Sequence, residues 1–370
     1  PLMLIKAEEV AIISITIEPT SFVINAGETK QLSVTALPEN ATKKEKILST
    51  LVWHSDNEEV ASVDENGMVT AKKYGNATIS ASIPDGFVTG SCDVTVNQDI
   101  TDKFDHVFAA ALEYEDLIED SDKIMYAEVT KITSFSMPDT YKENLESCKG
   151  LEFLNNLEYL GLSCCYNLKT LDVSKLTKLQ DLIANKCHLT KIDLSDCVSL
   201  KNLNLESNQI ANITFGKHDN MESISLGKNK LKKFDASIFP NLTYLYLSDN
   251  ELTEINLKGC SKLKVLQLNG NKLKSIDITD AVDMNANQFS YLNNPGENRV
   301  LKIFNSNITA KSFSWLMTPG NESSRVQGMY YCEKAPKIKT QPKNVSAKDG
   351  VPFSLSVELD PVLENAIYTW

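Results

Sequence analysis

Arginine is nearly absent. Only Arg299 and Arg325 carry a guanidinium among 37 basic residues, against 49 Asp and Glu and a formal net charge of −12. An acidic chain with so few groups able to grip phosphate in bidentate fashion is a poor match to nucleic acid, so no nucleic-acid partner is expected. No apolar run reaches the roughly 20 residues that a bilayer-spanning helix needs, so no transmembrane segment is expected either. Histidine is scarce, and His54, His106, His188 and His218 fall in strand, cap or repeat positions. There is no G-x-S-x-G, no H-E-x-x-H and no glycine-rich phosphate loop, so no catalytic residue, no metal site and no cofactor is expected.

What is present has the composition of an ordinary soluble protein, 42% hydrophobic and 23% charged over 370 residues, long enough for more than one domain. The first residue is Pro1 rather than Met, and a leader or upstream segment is expected to have been removed.

The middle of the chain repeats the frame L-x-x-L-x-L-x-x-[C/N] six times. It opens at Leu157, Leu179, Leu200, Met221, Leu242 and Leu263, with spacings of 22, 21, 21, 21 and 21 residues. The frame closes on Cys165, Cys187, Asn208, Asn229, Asn250 and Asn271. Units of this length bury their apolar face only by stacking, which predicts a leucine-rich repeat solenoid. The L-x-L core should form parallel strands, one per unit, about 4.8 Å apart. Asparagine in the closing column is expected to satisfy backbone groups of the turn. A second apolar column runs from Leu171 and Val173 to Ile276 and Ile278, and a third reads Leu176, Cys197, His218, Phe239, Cys260 and Ala281. These columns explain several of the eight cysteines as small buried hydrophobes. Cys164, Cys165, Cys187 and His188 lie on adjacent units, but their spacing follows the repeat and not a zinc motif; a disulfide between the two rungs stays open.

Residues 10–97 read as all-β. Alternation at Ile15 and Ile17, Phe22 and Ile24, and Leu32, Val34 and Ala36 is punctuated by Gly27, Pro38, Gly67 and Gly75, with Trp53 as a core anchor. Phe104 to Ile118 has helical spacing after a polar linker at Asn97 to Asp102, and Val129 to Phe135 reads as the first strand of the solenoid sheet. The helix is expected to cap the stack. The segment 281–335 reads as an irregular C-terminal cap, because Met284 opens a seventh unit while Asn287 sits where its second leucine belongs. Residues 336–370, with Pro342, Gly350, Phe353 and Trp370, read as the first half of a second sandwich.

The strings Gly27-Glu28-Thr29-Lys30-Gln31-Leu32, Val52-Trp53-His54-Ser55-Asp56, Val60-Ala61-Ser62-Val63-Asp64, Gly67-Met68-Val69-Thr70-Ala71 and Gly75-Asn76-Ala77-Thr78-Ile79 together resemble the group 2 bacterial immunoglobulin-like domain. Gly150-Leu151-Glu152-Phe153-Leu154-Asn155-Asn156-Leu157 and the unit Leu189-Thr190-Lys191-Ile192-Asp193-Leu194-Ser195 resemble internalin-type bacterial surface proteins and the 21-residue repeats of their gut-bacterial relatives. Leu117 to Glu128 is similar to an EF-hand calcium loop, as the caps of that family are. Ile124 and Glu128 match its eighth and twelfth positions, Leu117 replaces the first ligand and Asp122 replaces the turn glycine. It reads as a degenerate loop that keeps the fold of the cap and has lost calcium.

The domain plan is therefore 10–97 immunoglobulin-like, 101–128 helical cap, 129–280 α/β leucine-rich repeat solenoid, 281–335 cap and 336–370 partial immunoglobulin-like segment. The resemblance implies an extracellular protein of the bacterial cell surface that binds a host or microbial protein or glycan; we expect a monomer. Solenoids bind through exposed residues of the concave sheet, here Tyr159, Asp181, Asn185, Asn202, Asn204, Glu206, Tyr244, Tyr246, Gln267 and Asn269. Tyr244 and Tyr246 stand out because tyrosine supplies apolar area and a hydroxyl at low entropic cost, although tyrosine also simply suits a strand. The competing expectation is a structural stalk, or an accessory region of a longer surface protein or secreted enzyme.

Overall fold

The computed structural model describes residues 9–84, 86–278, 280, 281, 283, 284, 289–291 and 294, and the backbone of four later strands at Val300–Phe304, Met329–Tyr331, Lys337–Thr340 and Glu358–Asp360. The rest of the expected cap at 281–335 and of the half-sandwich at 336–370 lies outside the described residues. The chain divides into two compact units, Pro1–Ile132 with Lys149–Leu154, and Thr133–Cys148 with Asn155–Trp370.

The first unit opens with β1 (Ser14–Glu18), β2 (Ser21–Asn25), β3 (Thr29–Gln31), β4 (Ser33–Leu37), β5 (Val52–Ser55), β6 (Ala61–Val63), β7 (Met68–Ala71), β8 (Gly75–Ser82) and β9 (Thr89–Asn97). One sheet has the order β2-β9-β8-β5, a second β3-β7-β6, and β1 pairs with β4. The alternation that predicts half-buried strands is seen directly in β1, where Ile15 and Ile17 are buried between exposed neighbours. Ile17, Ile79, Val69, Val94, Val96 and Ala61 form the centre of the core. Trp53 is only half-buried and packs against that core. It lies over Gly67, whose φ of +78° and whose missing Cβ, which would fall 2.5 Å from the indole, both require glycine.

The helix at His106–Tyr114 is shorter than the helical spacing suggests. Asp105 caps it by accepting from the backbone N–H of Val107 and Phe108, and it buries Phe108, Ala109, Ala111 and Leu112. The expected linker is instead pinned into this unit. Ile100 is buried and donates to the Ile124 carbonyl, Tyr126 N–H donates to Gln98 O, and Ala127 N–H donates to Asn97 Oδ1. Tyr74 packs on Tyr126 with ring centroids 5.5 Å apart. Apolar groups at both ends of a short polar stretch outweigh its composition.

In the second unit the repeat becomes, among the described residues, an eight-stranded parallel sheet: Ser134–Ser136, Tyr159–Gly161, Asp181–Ile183, Asn202–Asn204, Ser223–Ser225, Tyr244–Tyr246, Val265–Gln267 and Phe289–Ser290. The strand expected from Val129 to Phe135 is confined to Ser134–Ser136. Tyr126–Val129 is a helical turn that continues through the bond from Lys131 N–H to Glu128 O. Central residues stack in register, Leu160 on Leu182, Leu203, Ile224, Leu245 and Leu266, all buried. The second apolar column forms its own parallel pairs, Lys191–Leu194 with Asn212–Phe215 and Lys233–Asp235 with Glu254–Asn256. The back of the described rungs is thus strand and turn, not helix.

A polar ladder in the closing column ties successive rungs together, and the third column adds a tie at two of them. In the closing column Asn208, Asn229, Asn250 and Asn271 donate to the carbonyls of Ala184, Leu205, Leu226 and Leu247 at 2.8–2.9 Å, and their Oδ1 atoms accept from Leu189, Ile210, Leu231 and Leu252 N–H. Cys187 keeps the donor half through Sγ to Leu162 O at 3.2 Å. It has no acceptor for the Leu168 amide, which turns instead to Cys165 O at 3.0 Å, a turn made possible by the extra residue of the first repeat. In the third column Cys197 and Cys260 reach Val173 O and Ala236 O. The closing Asn recurs once more at Asn294, whose amide donates to Leu268 O while Oδ1 accepts from Leu273 N–H. A seventh rung therefore exists, with Phe289 and Tyr291 buried in the leucine positions two residues later than the 21-residue register places them.

His218 occupies the third column and is fully buried against Phe215 and Phe239. Burial pushes its pKa below 6.5, partly offset by the Leu194 and Cys197 backbone. Since the unfolded chain takes up this proton first as pH falls, the stability it contributes is complete above 6.5 and is lost as pH drops towards the folded pKa. Thermal melts at pH 7.5, 6.5 and 5.5 should show a decline with acid that is shallower in His218→Leu; identical slopes would remove His218 from the account.

Candidate functional site

Alternation along each rung strand turns the residues flanking the buried leucine outward. In-register pairing then assembles rows that cross the sheet. One row reads Asn202, Ser223, Tyr244 and Val265, and the next Asn204, Ser225, Tyr246 and Gln267. A third follows at the strand ends with Glu206, Gly227, Ser248 and Asn269, marked by Leu205 N–H bonding to Ser225 O and Leu226 N–H to Tyr246 O. After each of these strands the chain turns through one left-handed residue directly before the closing column: Cys164, Lys186, Ser207, Lys228, Asp249 and Gly270, with φ between 54° and 65°.

The rung at Ser223–Ser225 carries the smallest outward set, Ser223, Ser225 and Gly227, between larger neighbours. This leaves a groove of about 420 Å³. Its floor is Ser223, Ser225 and Gly227; Asn202, Asn204 and Glu206 form one wall, and Tyr246, Ser248, Asp249 and Gln267 the other. Lys228 stands at the rim, 3.6 Å from a carboxylate oxygen of Glu206.

Of the residues expected on the binding face, Asn202, Asn204, Glu206, Tyr246 and Gln267 line this groove, and Tyr159, Asp181, Asn185, Tyr244 and Asn269 do not. Tyr244 is the most exposed of the outward tyrosines, at 42%. Asp181 accepts from Asn202 Nδ2 at 2.5 Å, and Asn185 accepts from Ser163 Oγ at 2.7 Å, so both are engaged within the sheet. Tyr159 is half-buried and folds over Gly161. Val265, outward by alternation, is buried at 7%. Ser223, Ser225 and Gly227 are not among the expected binding residues, because those are large or polar side chains whereas the groove arises from small ones.

Cys165 and Cys187 are buried free thiols in hydrogen-bond contact. That shared bond and burial push the Cys165 thiol up. Among the described residues no group of three or more His, Cys, Asp or Glu is arranged to hold a metal. In the EF-hand-like loop Glu128 accepts from Glu119 N–H at 2.5 Å, Asp120 from Asp122 N–H at 2.8 Å and Glu113 from Ser121 Oγ at 2.5 Å. Glu128 and Asp120 thus accept from the loop's own amides, and Glu113 of the preceding helix accepts from its Ser121.

Comparison with known proteins finds a family match in two segments of the chain. Residues 11–96 match the bacterial Ig-like domain (group 2), and residues 219–273 match the leucine rich repeat. A 3-O-alpha-D-galactosyl-alpha-L-arabinofuranosidase of Bifidobacterium longum subsp. longum is 38% identical over 81 residues, 22% of this chain and 7% of that enzyme, within the immunoglobulin-like part. The chain spans less than a fifth of the length of the curated relatives it matches. Among solved structures, an internalin C2 of Listeria monocytogenes is 21% identical with a TM-score of 0.43, covering 59% of this chain and 92% of that one. The functional domain of InlJ from the same species is 19% identical with a TM-score of 0.33, covering 56% and 57%. With stacked leucines, the asparagine ladder and both family models in agreement, the chain joins a group 2 bacterial immunoglobulin-like domain to a leucine-rich repeat solenoid.

Proposed function

We propose that this is a non-enzymatic binding protein of the bacterial cell surface, extracellular and monomeric, which uses the outward face of the solenoid sheet to hold a host or microbial protein or glycan. The observation that carries the reading is the groove across the strands Asn202–Asn204, Ser223–Ser225, Tyr244–Tyr246 and Val265–Gln267. A parallel sheet exposes fixed rows of side chains at one strand spacing, so the groove is preorganised and loses little entropy on binding. Both family models support a recognition or spacer role for the chain.

The test is binding of the full chain to arrays of surface proteins and glycans, beside a Tyr244→Ala, Tyr246→Ala double variant matched for thermal stability. Loss of two aromatic contacts should weaken binding by about tenfold or more. Equal binding by wild type and variant would move the site off these rungs.

A stalk or enzyme-accessory role is the second reading, favoured by the match of the immunoglobulin-like part to a small segment of a much longer glycosidase. It requires the sheet face to bind nothing, and the same array decides between the two.

A further inference from the structure

We infer that the groove is a carbohydrate subsite, built for an uncharged oligosaccharide and not for a protein epitope; this rests on the proposed role of the sheet face. The row Asn204, Ser225, Tyr246 and Gln267 crosses four paired strands. Asn204 and Tyr246 are therefore two strand spacings apart, about 9.6 Å, with only Ser225 between them. The gap opens on Gly227, and its volume of about 420 Å³ lies at the small-ligand end of the range for binding sites.

The chemistry of the lining favours a sugar. Gln267 presents a donor beside an acceptor, Asn204 presents its Nδ2 donor while its Oδ1 already accepts from Glu206 N–H at 3.1 Å, and Ser223 and Ser225 each both donate and accept with one atom. Vicinal ring hydroxyls, which both donate and accept, are the complement of such a surface. Tyr246 is half-exposed at the edge of the gap and offers a ring to the C–H face of a pyranose. Protein hot spots need a deep apolar socket for an anchoring side chain, and Ile183 and the buried Leu203 are the aliphatic groups in this lining. Polyanions are disfavoured as well. Lys228 is engaged by Glu206, and Asp249 adds a second carboxylate at the rim.

The experiment applies an array of defined neutral oligosaccharides, built on glucose, galactose, mannose, fucose and N-acetylhexosamines, to the full chain. Ser225→Leu fills the gap without touching the buried leucines, Tyr246→Ala removes the ring, Tyr246→Phe keeps it, and Lys233→Ala on the back strands is the control. Fetuin, intact and enzymatically deglycosylated, is the protein probe. We expect a neutral oligosaccharide to bind, with a loss of at least thirtyfold in Ser225→Leu, about tenfold in Tyr246→Ala and less than threefold in Tyr246→Phe and Lys233→Ala. Binding of deglycosylated fetuin that Ser225→Leu abolishes would overturn the carbohydrate inference and keep the sheet face as the site. Binding of any probe that Ser225→Leu leaves unchanged would overturn both readings. Failure of every neutral oligosaccharide to bind overturns the inference alone.

Discussion

Asn229→Ala should destabilise the solenoid by about 2–3 kcal/mol in urea unfolding, and Asn229→Asp by a similar amount. The amide is 7% exposed and makes four bonds. Nδ2 donates to Leu205 O at 2.9 Å, Leu226 O at 3.0 Å and Gly227 O at 3.2 Å, while Oδ1 accepts from Ile210 N–H at 2.9 Å. Alanine leaves the buried Ile210 N–H without its acceptor, which costs about 1–3 kcal/mol before relaxation, while Leu205 O, Leu226 O and Gly227 O each lose one of two donors and keep Asn208 Nδ2, Asn250 Nδ2 and Ser207 N–H. Aspartate keeps the acceptor but faces three carbonyl oxygens with a negative charge. Because rung stability propagates only through neighbours, the loss should appear as earlier unfolding of the rungs around Met221 while the immunoglobulin-like domain keeps its own transition. A loss below about 1 kcal/mol in both variants would mean that the ladder is solvated rather than structural.

The ladder was legible in the sequence because its cause is a residue type: only a side chain with a donor and an acceptor serves a turn that offers both. The leucine register followed for the same reason, since a one-residue slip would turn every Leu outward. The left-handed column from Cys164 to Gly270 was not legible. It uses Cys, Lys, Ser, Lys, Asp and Gly, so conformation there is imposed by the stack and leaves no composition signal. The turns after the second apolar column carry a signal of their own. Asp172, Asp193, Asp235 and Asn256 each accept from the amide two residues on, at Ser174, Ser195, Ser237 and Lys258. The seventh rung is hidden from a fixed 21-residue period because the chain gains two residues before it, although Phe289, Tyr291 and Asn294 keep the internal spacing of the frame. As for the groove, the residues facing outward could be listed from alternation, but a recess depends on differences in side-chain size between adjacent rungs. Exposed Tyr244 drew attention for its size, while the space lies over Ser223, Ser225 and Gly227.

Gly216→Ala should cost about 2–3 kcal/mol, more than a helix-forming or entropic argument at a glycine would suggest. Gly216 stands where the neighbouring rungs have Ser195 and Ser237, and where those rungs use an aspartate-capped turn. Thr214 replaces that aspartate, and the Gly216 N–H donates instead to Nε2 of the buried His218 at 3.3 Å. This draws the backbone in until a Cβ at Gly216 would lie 2.1 Å from the carbonyl oxygen of Ser195 and 2.9 Å from its carbon. The obstacle is backbone of the preceding rung, which cannot rotate away as a side chain could, so the two rungs must part. Reduced unfolded-state entropy returns only about 0.4–1 kcal/mol. Replacing His218 as well tests the cause. In Gly216→Ala, His218→Phe the aspartate-free turn loses its imidazole acceptor and can relax outward, so the double variant should be more stable than the sum of the single losses predicts. Strict additivity would show that the close approach is fixed by the rung stack itself and that His218 merely occupies the space beside it.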